Sequence, residues 1–243
     1  MNKKTFTLIE LLVVISIIGI LFSILLPSLQ TAKEKSLNVV CISNLSQISK
    51  GSTLLSSDLN GTFPLRANPT KATHLANGTE RDYLKFEPYI ALPLYACPLG
   101  PGNINFDEAR NSNNVESHYS IFWGLKNFYT GDESLKNLHD GGFQFMGDNF
   151  QVLAMDYSAD SASGTENQST HFAGQDEYHV TSGRNYIRRR QGPVRTDFNT
   201  LNYTFIDGSA KSIIKIKYND SRLRGVPVRP RFSTHFSLMP ATP

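Results

Sequence analysis

The sequence predicts an α+β fold, with one long N-terminal helix packed on an antiparallel β-sheet head. Three observations predict it. Residues 11–26 form an uncharged, strongly apolar run near the start. An amphipathic helical pattern follows and meets a stop signal at Asn60-Gly61. The remainder carries short apolar segments of period two, punctuated by Gly, Asn and Pro, with an Asp207-Gly208 turn signal among them. A length of 243 residues allows one sizeable domain or two small ones. The 40% hydrophobic fraction argues against a disordered chain, and a mean hydropathy of −0.28 excludes a polytopic membrane protein. Two cysteines are too few for a disulfide-dense scaffold or a four-cysteine zinc site.

The first element is a membrane-length helix. Residues 6–29 hold 24 residues and a single charge, Glu10. At ~1.5 Å rise per residue they would cross a hydrocarbon core of ~30 Å. Lys3 and Lys4 are the only charges ahead of the run, which predicts a cytoplasmic N-terminus and an exported remainder. A cleaved secretory signal has an apolar core of about 7–15 residues and small residues at its cleavage site. Here the run is longer and no small-x-small site follows it. A carboxylate inside such a span costs about 2.5–3.5 kcal/mol when central. A cut between Thr5 and Phe6 would create an α-amine four residues from Glu10, an opposite charge in apolar surroundings. The amine of a neighbouring subunit could neutralise Glu10 in the same way. The plainer alternative is a carboxylate that sits at the interface and snorkels.

Beyond Pro27 the helix is expected to continue, because the carbonyl freed by a proline is tolerated with a kink. Leu37, Val40, Cys41, Leu45, Ile48, Leu55 and Leu59 fall near a 3.6 period, with polar residues on the other faces. The helix predicted over residues 6–59 measures roughly 80 Å. Half of it is assigned to the membrane or a filament core and half to packing on the head.

The head follows. Tyr119, Ile121 and Trp123 alternate with His118, Ser120 and Phe122, and residues 150–155 suit a buried strand. Residues 201–206 and 209–216 read as a hairpin around a two-residue type I′ turn at Asp207-Gly208. Residues 98–117 and 158–183 read as loops. No internal repeat and no linker divides the head.

The N-terminal segment Lys4-Thr5-Phe6-Thr7-Leu8-Ile9-Glu10 and its apolar run resembles the prepilin N-terminus of bacterial type IV pilins and type II secretion pseudopilins. The resemblance covers residues 4–27, about a tenth of the chain. It implies cleavage by a membrane-embedded prepilin peptidase between Thr5 and Phe6 and N-methylation of Phe6. It also implies a role for Glu10 in assembly and matches Pro27 to a proline frequent in the family. The family usually has Gly before the cut, where this chain has Thr5. The segments around Cys41, around Cys97-Pro98 and over residues 203–212 are similar to a large pilin-like family with an Asp-Gly motif near its C-terminus. Members of that family often carry His where this chain has Asp197. On this reading residues 1–5 are a leader peptide and residues 6–29 a transmembrane or filament-core helix. Residues 30–60 are an amphipathic helix continuing into the head, and residues 61–243 a β-rich periplasmic or extracellular head.

Candidate chemistry is sparse. Cys41 and Cys97 would form a disulfide in an exported head, or else remain two separate buried thiols. The acids Asp140, Asp148 and Asp156 are weak calcium candidates, against the simpler reading of solvated loop acids; no cofactor is expected. No His pair at helical spacing, nucleophile elbow, phosphate loop or dinucleotide fingerprint occurs, so no enzymatic activity is expected. Charge is uneven: residues 184–243 carry 12 basic and 3 acidic groups, and residues 1–183 carry 12 and 18. Arg188, Arg189 and Arg190 could touch nucleic acid or an anionic glycan, but opposite-sign patches on one chain favour contacts between stacked subunits. The expected function is a pilin-like structural subunit assembled into a type IV pilus or a type II secretion pseudopilus. Its expected partners are the peptidase, other pilin or pseudopilin subunits and inner-membrane lipid. The alternatives are an uncut, single-span protein with a periplasmic binding head, and a DNA- or glycan-binding minor pilin.

Overall fold

The computed structural model describes residues 7–64, 74–77, 80–81, 85–100, 104, 106, 114–123, 143–145, 148–150, 152–156, 158–161, 167–169, 177–181, 184–188, 200–205, 207–214, 223–227 and 235–240. It is α+β, as predicted. Helix α1 spans Leu8–Asp58 and runs through Pro27. The strands are β1 (His74–Asn77), β2 (Glu80–Arg81), β3 (Asn114–Glu116), β4 (Tyr119–Ile121), β5 (Phe143–Phe145), β6 (Asp148–Phe150), β7 (Val152–Asp156), β8 (Ser158–Ser161), β9 (Asn167–Ser169), β10 (Glu177–Thr181), β11 (Arg184–Arg188), β12 (Thr200–Phe205), β13 (Ala210–Ile214), β14 (Leu223–Pro227) and β15 (His235–Pro240). The chain divides into two compact units, Met1–Val39 and Val40–Pro243.

The sheet that carries the core of the second unit is antiparallel, in the order β13-β12-β7-β4. Both faces of β7 are buried: Leu153 and Met155 on one side, Ala154 and Asp156 on the other. From α1, Cys41, Leu45, Ile48 and Leu55 enter the core beside Phe86, Ile90, Tyr95, Tyr119, Ile121 and Trp123. Small residues set how closely the neighbouring chain comes to the helix. Ser49, Gly51, Ser52 and Ser56 are buried with the apolar stripe. Ser49 Oγ donates to the Phe205 carbonyl oxygen (3.1 Å), and Trp123 Nε1–H donates to Ser52 Oγ (3.0 Å). Trp123 stacks on Phe63 (5.4 Å between centroids) and meets Phe86 edge-on (4.8 Å).

The helix ends where the sequence said it would. Asn60 takes a left-handed φ of 58°, Gly61 N–H donates to Ser56 O (2.8 Å), and Asn60 N–H donates to Ser57 O (3.3 Å). This is a Schellman cap, which satisfies carbonyls the last turn would leave open. The predicted stripe needs correction at three positions: Val40 and Leu59 are exposed, and Leu37 is half-buried. They flank the narrow face that touches the sheet, and a 3.6 period alone does not give the width of that face.

Cys41 and Cys97 are disulfide-bonded, with Cα atoms 5.4 Å apart. The bond joins the buried face of α1 to the turn after the 3-10 segment Leu92–Tyr95.

Three strand expectations change. The hairpin turn is not type I′: of Asp207 and Gly208 only the glycine has a positive φ (81°), Gly208 N–H donates to Phe205 O (3.0 Å), and Phe205 N–H donates to Ser209 O (2.9 Å). The connection is therefore longer, with glycine at its left-handed position, as in hairpins closed by a bulge. Asp207 is instead used as a side-chain acceptor for Ser209 N–H (2.9 Å). The stretches read as loops contain β3, β8, β9 and β10. Their pairing is made by backbone hydrogen bonds, which sequences poor in large aliphatics can also supply. Finally, Phe150 belongs to β6 and not to β7. Residues 215–218, predicted to extend the hairpin, lie outside the described residues.

Candidate functional site

The candidate site is the N-terminal part of α1. Thr5 and Phe6 lie outside the described residues, so the geometry begins at Thr7. Thr7 precedes the helix and Glu10 is three residues on, and the two close a reciprocal capping box. The Thr7 N–H and the Thr7 hydroxyl both donate to Glu10 Oε2 (2.8 Å each), and Glu10 N–H donates to Thr7 Oγ1 (3.3 Å). One carboxylate thereby satisfies an N–H that would be unmet in an apolar medium. The Thr-x-x-Glu spacing is a local sequence signal for this cap.

The following turns present apolar side chains on every side. Leu8, Phe22 and Leu29 are 80%, 56% and 67% exposed, and their large neighbours are similar. Nothing lies within 4 Å of a Cβ placed on Gly19. The hydroxyls inside the run are satisfied locally, as Ser16 Oγ donates to Val13 O (2.8 Å) and Ser23 Oγ to Ile20 O (2.7 Å). Past the proline, Thr31 Oγ1 donates to the Pro27 carbonyl (3.0 Å). Such bonding of Ser and Thr to earlier carbonyls suits a helix without water. By length and composition, α1 is the one helix among the described residues able to cross a membrane.

The remaining predicted residues belong to the second unit. Asp140, Arg189, Arg190 and Asp197 lie outside the described residues. Asp148 starts β6 and Arg188 ends β11. Asp156 is buried in β7 and accepts the Asn202 N–H at 2.7 Å. It belongs to a polar row across the sheet. Tyr119 pairs with Asp156, Asn202 pairs with Ser212, and Ser212 Oγ donates to Asn202 Oδ1. Burial pushes the Asp156 carboxyl well above the usual carboxylate range, against the two Asn202 hydrogen bonds that favour its ionised form. Burial also raises Tyr119, aided by the neighbouring Asp156 charge, while the Asn44 amide opposes the shift. Among the described residues, no group of His, Cys, Asp or Glu is arranged to hold a metal.

Residues 1–26 match the prokaryotic N-terminal methylation motif. No curated protein and no solved structure matches the chain. The motif match supports the type IV pilin and pseudopilin family. It supports a pilin-like protein of the kind a prepilin peptidase processes, and the apolar N-terminal helix supports anchoring in the inner membrane.

Proposed function

We propose that the chain is a structural subunit of a type IV pilus or a type II secretion pseudopilus. One observation carries the reading: the methylation motif covers the apolar first part of α1, in which residues 7–29 expose large side chains on every side and carry Glu10 as their single charge. The span enters the inner membrane with Lys3 and Lys4 on the cytoplasmic side and the head in the periplasm. The peptidase cuts between Thr5 and Phe6, and Phe6 is N-methylated. Outside lipid the exposed span is unstable in water, since each large apolar side chain gains about 1.5–3 kcal/mol on burial. Stacking the spans of successive subunits supplies that burial. Glu10, with one oxygen held by Thr7, then meets the Phe6 amine of a neighbour and sets the register.

Thr5 in place of the usual Gly favours a second reading, in which the span stays uncut and anchors the head as a membrane-bound binding protein. Co-expression with a prepilin peptidase, followed by mass spectrometry of the N-terminus, decides between them. A methylated peptide beginning at Phe6 is expected. A peptide beginning at Met1 in most molecules overturns the filament reading in favour of the second.

A further inference from the structure

The bonded Cys97 sits in a turn held at several of its residues. Gly100 N–H donates to Cys97 O (2.8 Å), and His118 N–H donates to Tyr95 O (3.0 Å). Ser117 Oγ also donates to Tyr95 O (3.2 Å), and Asn44 Nδ2 of α1 donates to Ala96 O (3.2 Å). At Cys97 itself the partner is a side chain. Its N–H donates to His118 Nδ1 at 3.1 Å, and its carbonyl oxygen lies 3.3 Å from the same nitrogen. The imidazole is fully buried and occupies the space above Gly100, where an added Cβ would come within 2.7 Å of Cε1 and 2.8 Å of Cγ. Both main-chain groups of one bonded cysteine thus face one ring nitrogen, in a turn that only glycine completes.

We propose that His118 is a positioning residue for the Cys41–Cys97 bond. Its Nδ1 holds the Cys97 turn in the bonded geometry, so that the thiol of Cys97 is presented to Cys41 before the bond exists. On oxidation the two thiols lose two electrons and two protons. A bond forms between the two Sγ atoms, and the S–S bond of a small-molecule or protein disulfide oxidant breaks to give two thiols. Because the turn is organised in advance, less chain entropy is lost in closing the bond, and the bonded form is harder to reduce. Pairing within one chain also gains over pairing between chains.

The test uses the full chain in detergent micelles, equilibrated in glutathione buffers of graded ratio. Free thiols are trapped by alkylation and counted by mass. His118→Leu keeps an apolar volume but removes the acceptor, whereas His118→Asn places a carbonyl oxygen near the position of Nδ1. His118→Leu is expected to be reduced about tenfold more easily, a potential about 30 mV less negative, with more disulfide-linked dimers on reoxidation. His118→Asn is expected within about twofold of wild type. Both variants lose the packing of the ring, so a role in packing alone would move them together. An unchanged equilibrium in His118→Leu, or an equal shift in both variants, overturns the proposal. If His118→Leu does not fold, Gly100→Ala displaces the ring from Cys97 in an otherwise native chain. It must then ease reduction in the same direction, and an unchanged equilibrium there also overturns the proposal.

Discussion

Gly51→Ala is the sharpest probe of how the head is built. Alanine is the better helix former, so at an unconstrained interior position the change should stabilise by about 0.8–1.0 kcal/mol. Position 51 is not unconstrained. An added Cβ would overlap the Tyr89 carbonyl oxygen, come within 2.6 Å of Ile90 Cγ1 and lie 3.1 Å from Tyr89 C. The obstructing segment cannot easily yield. Tyr89 N–H and Ile90 N–H both donate to Phe86 O (2.8 Å each), and the Tyr89 hydroxyl donates to Asp58 Oδ2 (2.8 Å). Overpacking costs about 1–3 kcal/mol, and a collision with tethered backbone belongs at the upper end. Subtracting the intrinsic helix gain leaves a net loss of about 2 kcal/mol. The single tryptophan reports it: Trp123 is buried against Phe86, in the same segment. Urea unfolding of the full chain in micelles, followed by Trp123 fluorescence, should show a midpoint lower by about 1 M for a slope of about 2 kcal/mol/M. A midpoint equal to or above wild type would refute the close-approach argument.

Two further outcomes are expected. Replacing both Cys41 and Cys97 with Ala should cost about 4 kcal/mol in the chain-entropy account of a bond whose partners are 56 residues apart. A thermal or urea shift of less than about 1 kcal/mol would show that the reduced head keeps this geometry unaided. For Asp156 the sign follows from its raised folded-state pKa. Its contribution is fully present below the ordinary carboxylate range and is lost as pH rises through the folded-state value. Asp156→Asn removes that loss while its amide oxygen can still accept the Asn202 N–H. The variant should therefore gain on wild type between pH 4 and pH 7 in urea midpoints, and a difference independent of pH would contradict the assignment.

Much of this molecule is legible in local sequence. The apolar run, the lone Glu10 and the Asn60-Gly61 stop depend on neighbours within one or two helical turns, and each lies where the pattern put it. The Thr7–Glu10 box is equally local, since both residues lie within one helical turn. Legibility fell where pairing is long-range. Strands β8 and β9 carry little aliphatic patterning, and their edges are defined by partners such as β15, whose pairing residues lie about 75 positions away. The hairpin turn shows the same limit on a smaller scale. Asp-Gly signalled a reversal at the right place, but the register of β12 on β13 set the length of the connection.

Sequence by itself determined the membrane-length helix, its processing motif and its end, because helices and caps close their hydrogen bonds within a few residues. Tertiary structure alone decided which residues of the stripe are buried, that Cys41 reaches Cys97, and that Asp156, Asn202 and Ser212 form one row. It also decided that His118 serves the bonded turn and that Gly51 must be glycine. Each of these rests on atoms brought together from distant parts of the chain. No local periodicity encodes the distance at which two packed surfaces meet.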